Sequence, residues 1–122
     1  MADTILETRK LADLAPMPKN TRNHSDAQLK EFMRSLSQFG QIRPIVIDEK
    51  GTIIVGHGLW MAMQKMGLED AKCLVKPGLT EKQKIKLMLA DNKIFTLGTE
   101  DFGRLDDLLR ELQDFDIPGY DA

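Results

Sequence analysis

The run Ile53-Ile54-Val55-Gly56-His57-Gly58, followed by Leu59-Trp60-Met61-Ala62-Met63-Gln64-Lys65-Met66-Gly67, constrains the fold more than any other part of the chain. A short β-branched run bounded by turn residues reads as a strand. It ends in Gly-His-Gly, and a helical pattern then closes on another glycine. A strand that turns through glycines into a helix presents backbone N–H groups with no helical partner, a terminus that suits a phosphate or another anion. On this reading Gly56 permits the turn and His57 faces a bound phosphate, as donor or proton exchanger. The amides of Gly58 and Leu59 point into the anion site. The same residues also suit an ordinary strand–helix junction whose histidine merely tolerates the turn.

The rest of the chain falls into short elements. Residues 1–8 read as a frayed lead-in. Arg9 to Leu14 reads as an edge strand stopped by Pro16 and Pro18, and Lys19 to His24 as a polar loop. Ser25 opens a helix with Gln28 as capping-box partner. Leu29, Phe32, Met33, Leu36 and Phe39 follow at helical spacing, and Gly40 stops it. Pro44 to Ile47 is a strand, Asp48 to Gly51 a hairpin turn, and Thr52 to Val55 the returning strand. Ala71 to Val75 is a further strand. Thr80, with Gln83, caps a helix whose stripe Ile85, Met88, Leu89 runs on to Asn92 and Phe95 before Gly98 breaks it. The last helix, about 102–114, carries Leu105, Leu108, Leu109, Leu112 and Phe115, and core packing is its simplest use. Short strands interleaved with four helices predict an α+β (mixed α/β) fold: a small mixed sheet with flanking helices and a C-terminal helical segment.

At 122 residues the chain supports one core. We divide it into a body, 1–98, and an acidic amphipathic helix and linker, 99–122, packed on the same domain. No apolar run approaches the length of a membrane span, and Met1 to Lys10 lacks the pattern of a secretory signal. Cys73 is the only cysteine, so neither an intrachain disulfide nor a cysteine zinc site is expected. Neither zinc nor haem is expected, and a cytoplasmic protein is the simplest reading. The net charge of −2 argues against tight non-specific binding to a polyphosphate backbone. The charge is uneven, however. Residues 1–98 hold fifteen basic and eleven acidic residues, whereas 99–122 hold eight acids against Arg104 and Arg110. A mildly basic body could still touch DNA on one face.

Further candidates for chemistry are scattered. Asp91 and Asn92 lie near the end of an amphipathic helix. Asp91 suits Mg²⁺ or a water near phosphates, and Asn92, on the apolar stripe, either pins a neighbouring loop or is a buried latch. Arg22, in the loop before the first helix, could fork onto a phosphate or carboxylate or simply be solvated, and the same holds for Gln41 and Arg43 before the Pro44 strand. Glu31 lies on the polar face of the first helix with Lys30 and Arg34. Cys73 reads as a small buried apolar residue and His24 as a surface residue beside the Ser25 cap.

The ordered set Pro18-x-Asn20-x-Arg22, a helix ending at Gly40, Pro44-Ile45-Val46-Ile47, Gly56-His57-Gly58, Gly67 and Ala90-Asp91-Asn92-Lys93 resembles the ParB/sulfiredoxin superfamily over residues 8–98. It is most similar to the ParB-like N-terminal domain found with DNA-modification methylases of phages and mobile elements. The segment Phe115 to Asp121 resembles the linker that joins that domain to the next one, so an excised domain or a stand-alone relative is expected. The resemblance implies a cleft for a nucleotide triphosphate with Mg²⁺. Gly56, His57 and Gly58 would form the phosphate turn, Asp91-Asn92 would replace the acidic-Asn motif, and Arg22, Gln41 and Arg43 would line the cleft. Two departures stand out. Leu59 replaces the family's arginine after the turn, removing a charged hydrogen bond typically worth about 1.5–3 kcal/mol. Phe95 stands where partition proteins close the acidic-Asn motif with arginine. Sulfiredoxin chemistry needs a cysteine in the turn, and here there is none. A partition-type helix-turn-helix has no room in the chain.

Three functions are expected on these grounds. In the first, the chain binds nucleotide or phosphate in a DNA transaction, with DNA, a methylase or another DNA-modifying enzyme as partner and a homodimer as its assembly. In the second it is a small nuclease or nucleotide-dependent phosphotransferase, with His57 as acid/base or phosphate ligand, Asp91 as metal ligand and Glu31 as base. In the third it is a protein-interaction module with a degenerate cleft, docking through the last helix.

Overall fold

The computed structural model describes residues 4–20, 22–114 and 116–120. Its centre is a hairpin. Strands β3 (Ile45–Ile47) and β4 (Thr52–Val55) pair antiparallel around the Asp48–Gly51 turn. Gly51 sits at φ +88, and a Cβ there would lie 2.7 Å from the Asp13 carbonyl oxygen, so glycine is required twice over. Around this hairpin the sheet has five strands in the order β1-β5-β3-β4-β2. β5 (Asp70–Val75) lies parallel to β3, and the short β2 (Ala15–Pro16) lies parallel to β4 at one edge.

The other edge corrects the expected lead-in. Ile5–Lys10 form β1, paired antiparallel with the whole of β5 from Ile5 opposite Val75 to Lys10 opposite Asp70. None of its side chains is buried, so no hydrophobic period marks it; the backbone ladder holds it. The strand expected over Arg9 to Leu14 ends at Lys10. The chain then makes a 3₁₀ turn, Leu11–Asp13, that buries Leu11 and leads to buried Leu14.

Alternate residues of β3 divide the core. Ile45 and Ile47 join Ile53, Cys73 and Val75 in one cluster with Leu29 and Leu36 of α1 (Asp26–Phe39) and Ala62 and Met63 of α2 (His57–Lys65). Val46 and Val55 pack against a second cluster, Met17, Ile54 and Met88, where α3 (Glu81–Leu97) docks with Ile85 and Leu87. Both helix starts read from sequence are present. Thr80 and Gln83 form a complete capping box. Ser25 accepts from the Gln28 N–H, but the Gln28 side chain turns instead to His24.

A buried ion pair bolts α3 to the hairpin. Asp48, 1% exposed, accepts from the Lys50 and Thr52 N–H groups through Oδ1 and from Lys84 Nζ through Oδ2, the last at 2.8 Å. Glu81 Oε1 accepts a second bond from Lys84 at 3.1 Å.

The C-terminal helix departs from expectation. α4 (Phe102–Leu112) buries none of its residues; Leu105 and Leu109 are half-buried, Leu108 and Leu112 are exposed, and Phe102 is 77% exposed. Its stripe therefore supplies no core. Phe115, read as the last residue of that stripe, lies outside the described residues. Beyond the helix, Asp116 returns to α1, where Arg34 donates to its carboxylate at 2.8 Å and Gln38 to its carbonyl at 3.0 Å. Among the described residues no helix is long and apolar enough to cross a membrane.

Candidate functional site

The strand–turn–helix element opens onto a cleft of about 330 Å³, bounded by the loop before α1, by α1 itself, by the segment leading into β3 and by the last turns of α3. Gly56 caps α2 in the left-handed region at φ +105, and no side chain caps the helix. A nine-residue helix thus starts at the cleft with its first N–H groups unclaimed by any side chain among the described residues. His57 is the first helical residue rather than the middle of a turn.

His57 is 6% exposed. Its Nε2 accepts the Met17 N–H at 3.1 Å, so the ring hydrogen of the neutral imidazole sits on Nδ1. Burial, reinforced by the neighbouring His24, pushes its pKa down to about 4. His57 is therefore neutral at pH 7, and its Nε2 is already engaged. The ring ties the turn to the chain after β2 and leaves Nδ1–H as a donor. Proton exchange at Nε2 would first break the bond to Met17.

Gly58 is buried because another ring covers it. A Cβ at this position would meet His24 Nδ1 at 2.7 Å, His24 Cε1 at 2.8 Å and Phe32 Cε2 at 3.0 Å. His24, read from sequence as a surface residue, is instead half-buried on the cleft wall, with Nδ1 and Gln28 Oε1 2.8 Å apart. The second glycine of the turn was the available signal: a position with no side chain invites a close neighbour.

Arg22 lines the cleft, half-buried. An Asn20–Arg22 exchange of side-chain and backbone bonds at 3.2 and 3.3 Å braces its loop. Among the described residues its guanidinium has no carboxylate partner. Arg43 also lines the cleft and lies over the Phe95 ring at 5.4 Å. Asp91 and Asn92 reach the cleft from α3; Asn92 is half-buried and Asp91 exposed. Leu59 lines the cleft and packs on the first core cluster.

Two candidates lie elsewhere. Gln41 is not in the cleft. It donates to the carbonyls of Arg43 and Lys72 at 2.9 and 2.8 Å and accepts the Lys72 N–H at 2.8 Å, so it clamps the approach to β3 against β5. Glu31 is also outside. Both its oxygens accept from Arg34, at 2.7 and 3.0 Å. The Arg34 hydrogen bond, against some desolvation and with help from the Gly119 backbone, lowers its pKa, which suits a structural anion more than a base. Cys73 is fully buried in β5 and burial raises its pKa, away from thiolate chemistry.

Among the described residues no three His, Cys, Asp or Glu side chains converge as a metal cage. Asp91 is the one carboxylate among those residues on the cleft wall. That fits a Mg²⁺ held mainly by phosphate oxygens and water, which needs only one or two protein carboxylates.

A small mixed sheet with two helices on one face, a third on the other, and a cleft at a strand–glycine–helix junction defines a ParB/sulfiredoxin-type α+β domain. Residues 2–93 match the ParB N-terminal domain family, and the chain belongs to that family. It is 42% identical over 76 residues to the ParB-like nuclease domain-containing protein YnaK of Escherichia coli (strain K12), covering 62% of this chain and 87% of YnaK. Its fold resembles the C-terminally truncated chromosome-partitioning protein ParB from Caulobacter crescentus, solved with CTP-gamma-S. The TM-score is 0.66 at 19% identity, over 71% of this chain and 52% of that one, so the match spans about half of the ParB chain. It also resembles sulfiredoxin from Arabidopsis thaliana, with a TM-score of 0.57 at 24% identity over 70% of this chain and 97% of that one.

Proposed function

We propose that the chain is a nucleotide-binding ParB-type domain that serves a DNA transaction, with DNA modification as its setting and a methylase or another DNA-modifying enzyme as its partner. The observation that carries this is the cleft itself. It joins the uncapped start of α2 to Arg22, a cation without a carboxylate partner among the described residues, and to Asp91 on the wall formed by α3. Helix N–H groups and a guanidinium are the donors a phosphate chain needs. The Caulobacter relative, solved with CTP-gamma-S, supports a nucleotide as occupant.

The domain binds without rapid turnover. Glu31 is pinned to Arg34 outside the cleft, His57 Nε2 is engaged by Met17, and Leu59 supplies no charge beside the turn. A nuclease, as the name of YnaK would suggest, or a phosphotransferase would have to work with Asp91 as its one cleft carboxylate among the described residues. A second reading, docking of a protein partner or a second copy through α4, is favoured by the exposed Phe102, Leu108 and Leu112.

The test is calorimetric titration of CTP, ATP, GTP and short duplex DNA, with and without Mg²⁺, on wild type and Arg22→Ala. His57→Ala is a poor control because it removes the acceptor of the Met17 N–H. Micromolar binding that weakens about 10- to 100-fold in Arg22→Ala, the range for a lost charged hydrogen bond, is the expected result. Silence for every ligand would overturn the reading and direct attention to α4.

A further inference from the structure

Phe95 poses a question that the phosphate site does not answer. It is 62% exposed, yet it stands on the cleft wall, one turn of α3 beyond Asp91 and Asn92. Aromatic side chains are common in the linings of ligand clefts. Arg43 lies across it, 5.4 Å from carbon Cζ to the ring centroid, and has no carboxylate partner among the described residues. The Arg43 backbone is held as well, since Gln41 Nε2 donates to its carbonyl while gripping Lys72 of β5. The arginine is therefore positioned over an aromatic ring on the cleft wall.

We propose that Phe95 and Arg43 form a stacking platform for the base of a nucleoside phosphate, so that Arg43 serves the base and Arg22 the phosphates. The proposal rests on the nucleotide reading above and assigns the two arginines different work within it. An arginine within cation–π reach of a phenyl ring sets a second π-bearing group beside it, against which a base can pack. Such stacking tolerates any base, because every base has a π face. Ile42 and Pro44, which also line the cleft, offer apolar contact to the face of a base and nothing to a phosphate. Gln41 acts as a positioning residue, setting the Arg43 backbone without touching the ligand.

The test compares CTP with inorganic tripolyphosphate, which carries the charge but no base, on wild type, Phe95→Leu and Phe95→Tyr. The exposure of Phe95 makes all three proteins expected to fold alike, which thermal melts check. Phe95→Leu should weaken CTP about 5- to 100-fold, the usual range for one base–aromatic contact, and leave tripolyphosphate unchanged. Phe95→Tyr should restore CTP. Titration of a short oligothymidylate distinguishes a base in a single strand from a free nucleotide; the same Phe95 dependence in either ligand supports the platform. CTP binding unchanged by Phe95→Leu would overturn the platform and leave the nucleotide reading standing. Equal losses for CTP and tripolyphosphate would also overturn it, since the ring would then be shaping the phosphate site. A wild-type chain that binds neither ligand would overturn both.

Discussion

Replacing Lys84 with methionine would remove the cation from the Asp48–Lys84 pair while keeping most of the side-chain volume. The carboxylate left behind is 1% exposed. Its Oδ1 would still accept from the Lys50 and Thr52 N–H groups, at 2.9 Å each, but Oδ2 would lose its 2.8 Å partner. Breaking a buried pair on one side typically costs about 3–5 kcal/mol because a charge stays buried without compensation. The two surviving backbone bonds put Lys84→Met at the low end, about 3 kcal/mol at pH 7. Burial alone raises the Asp48 pKa, but the Lys84 bond and the two backbone N–H groups outweigh it, and the net shift is downward. Lys84 is shifted upward, chiefly by its bond to Asp48. The Asp48 contribution is therefore present above the unfolded carboxylate value, near ~3.9, and disappears as pH falls through the lower folded value. The Lys84 contribution is present below ~10.4 and fades as pH rises through its raised folded value. Urea unfolding at pH 7 of wild type, Lys84→Met, Asp48→Asn and the double variant forms the cycle that isolates the pair. The double variant should recover much of the loss, because replacing both partners is often near neutral. A loss below about 1 kcal/mol in Lys84→Met would refute the argument that this pair fastens α3, and with it the cleft wall carrying Asp91 and Phe95.

Two further outcomes are expected. Gly58→Ala should lower Tm and weaken ligand binding, because its Cβ would overlap His24 at 2.7 Å, a strain of about 1–3 kcal/mol; the added variant His24→Ala should return most of the Tm, and no recovery would disprove the overlap. The folded pKa of His57, about 4, lies below its unfolded value near ~6.5, so stability is full above ~6.5 and falls as pH drops toward 4, by a limit of about 3 kcal/mol; urea melts from pH 7 to 4 should show this decline shrink in His57→Gln, and an unchanged slope would count against a buried neutral ring.

Local chemistry made much of the fold readable. The Thr80–Gln83 box, the Ser25 cap, the glycine of the Asp48–Gly51 turn and the β-branched strands beside it each act within a few residues. The Gly56-His57-Gly58 turn and the approach of Asp91 and Asn92 to a cleft were legible for the same reason, aided by motif order. The features that escaped depend on residues far apart in the chain. β1 exists because a ladder to β5, which lies far along the chain, satisfies its backbone; its side chains carry no signal. Asp48 reads as a turn residue until Lys84 arrives from another helix. Gln41 is a polar residue in sequence, and only Lys72, far along the chain, shows that it is committed outside the cleft; Glu31 pairs with Arg34 one helical turn on, and Arg34 is in turn held by the distant Asp116. The leucine stripe of α4 states that the helix has an apolar face but not what covers it. Sequence by itself determined the helices, the central hairpin, the Gly-His-Gly turn and the charge distribution, because propensity, capping and periodicity are short-range. Tertiary structure alone decided which polar groups face the cleft, that His57 is neutral and engaged, and that Arg43 lies on Phe95, because burial and pairing are set by chain segments that meet only in the folded state.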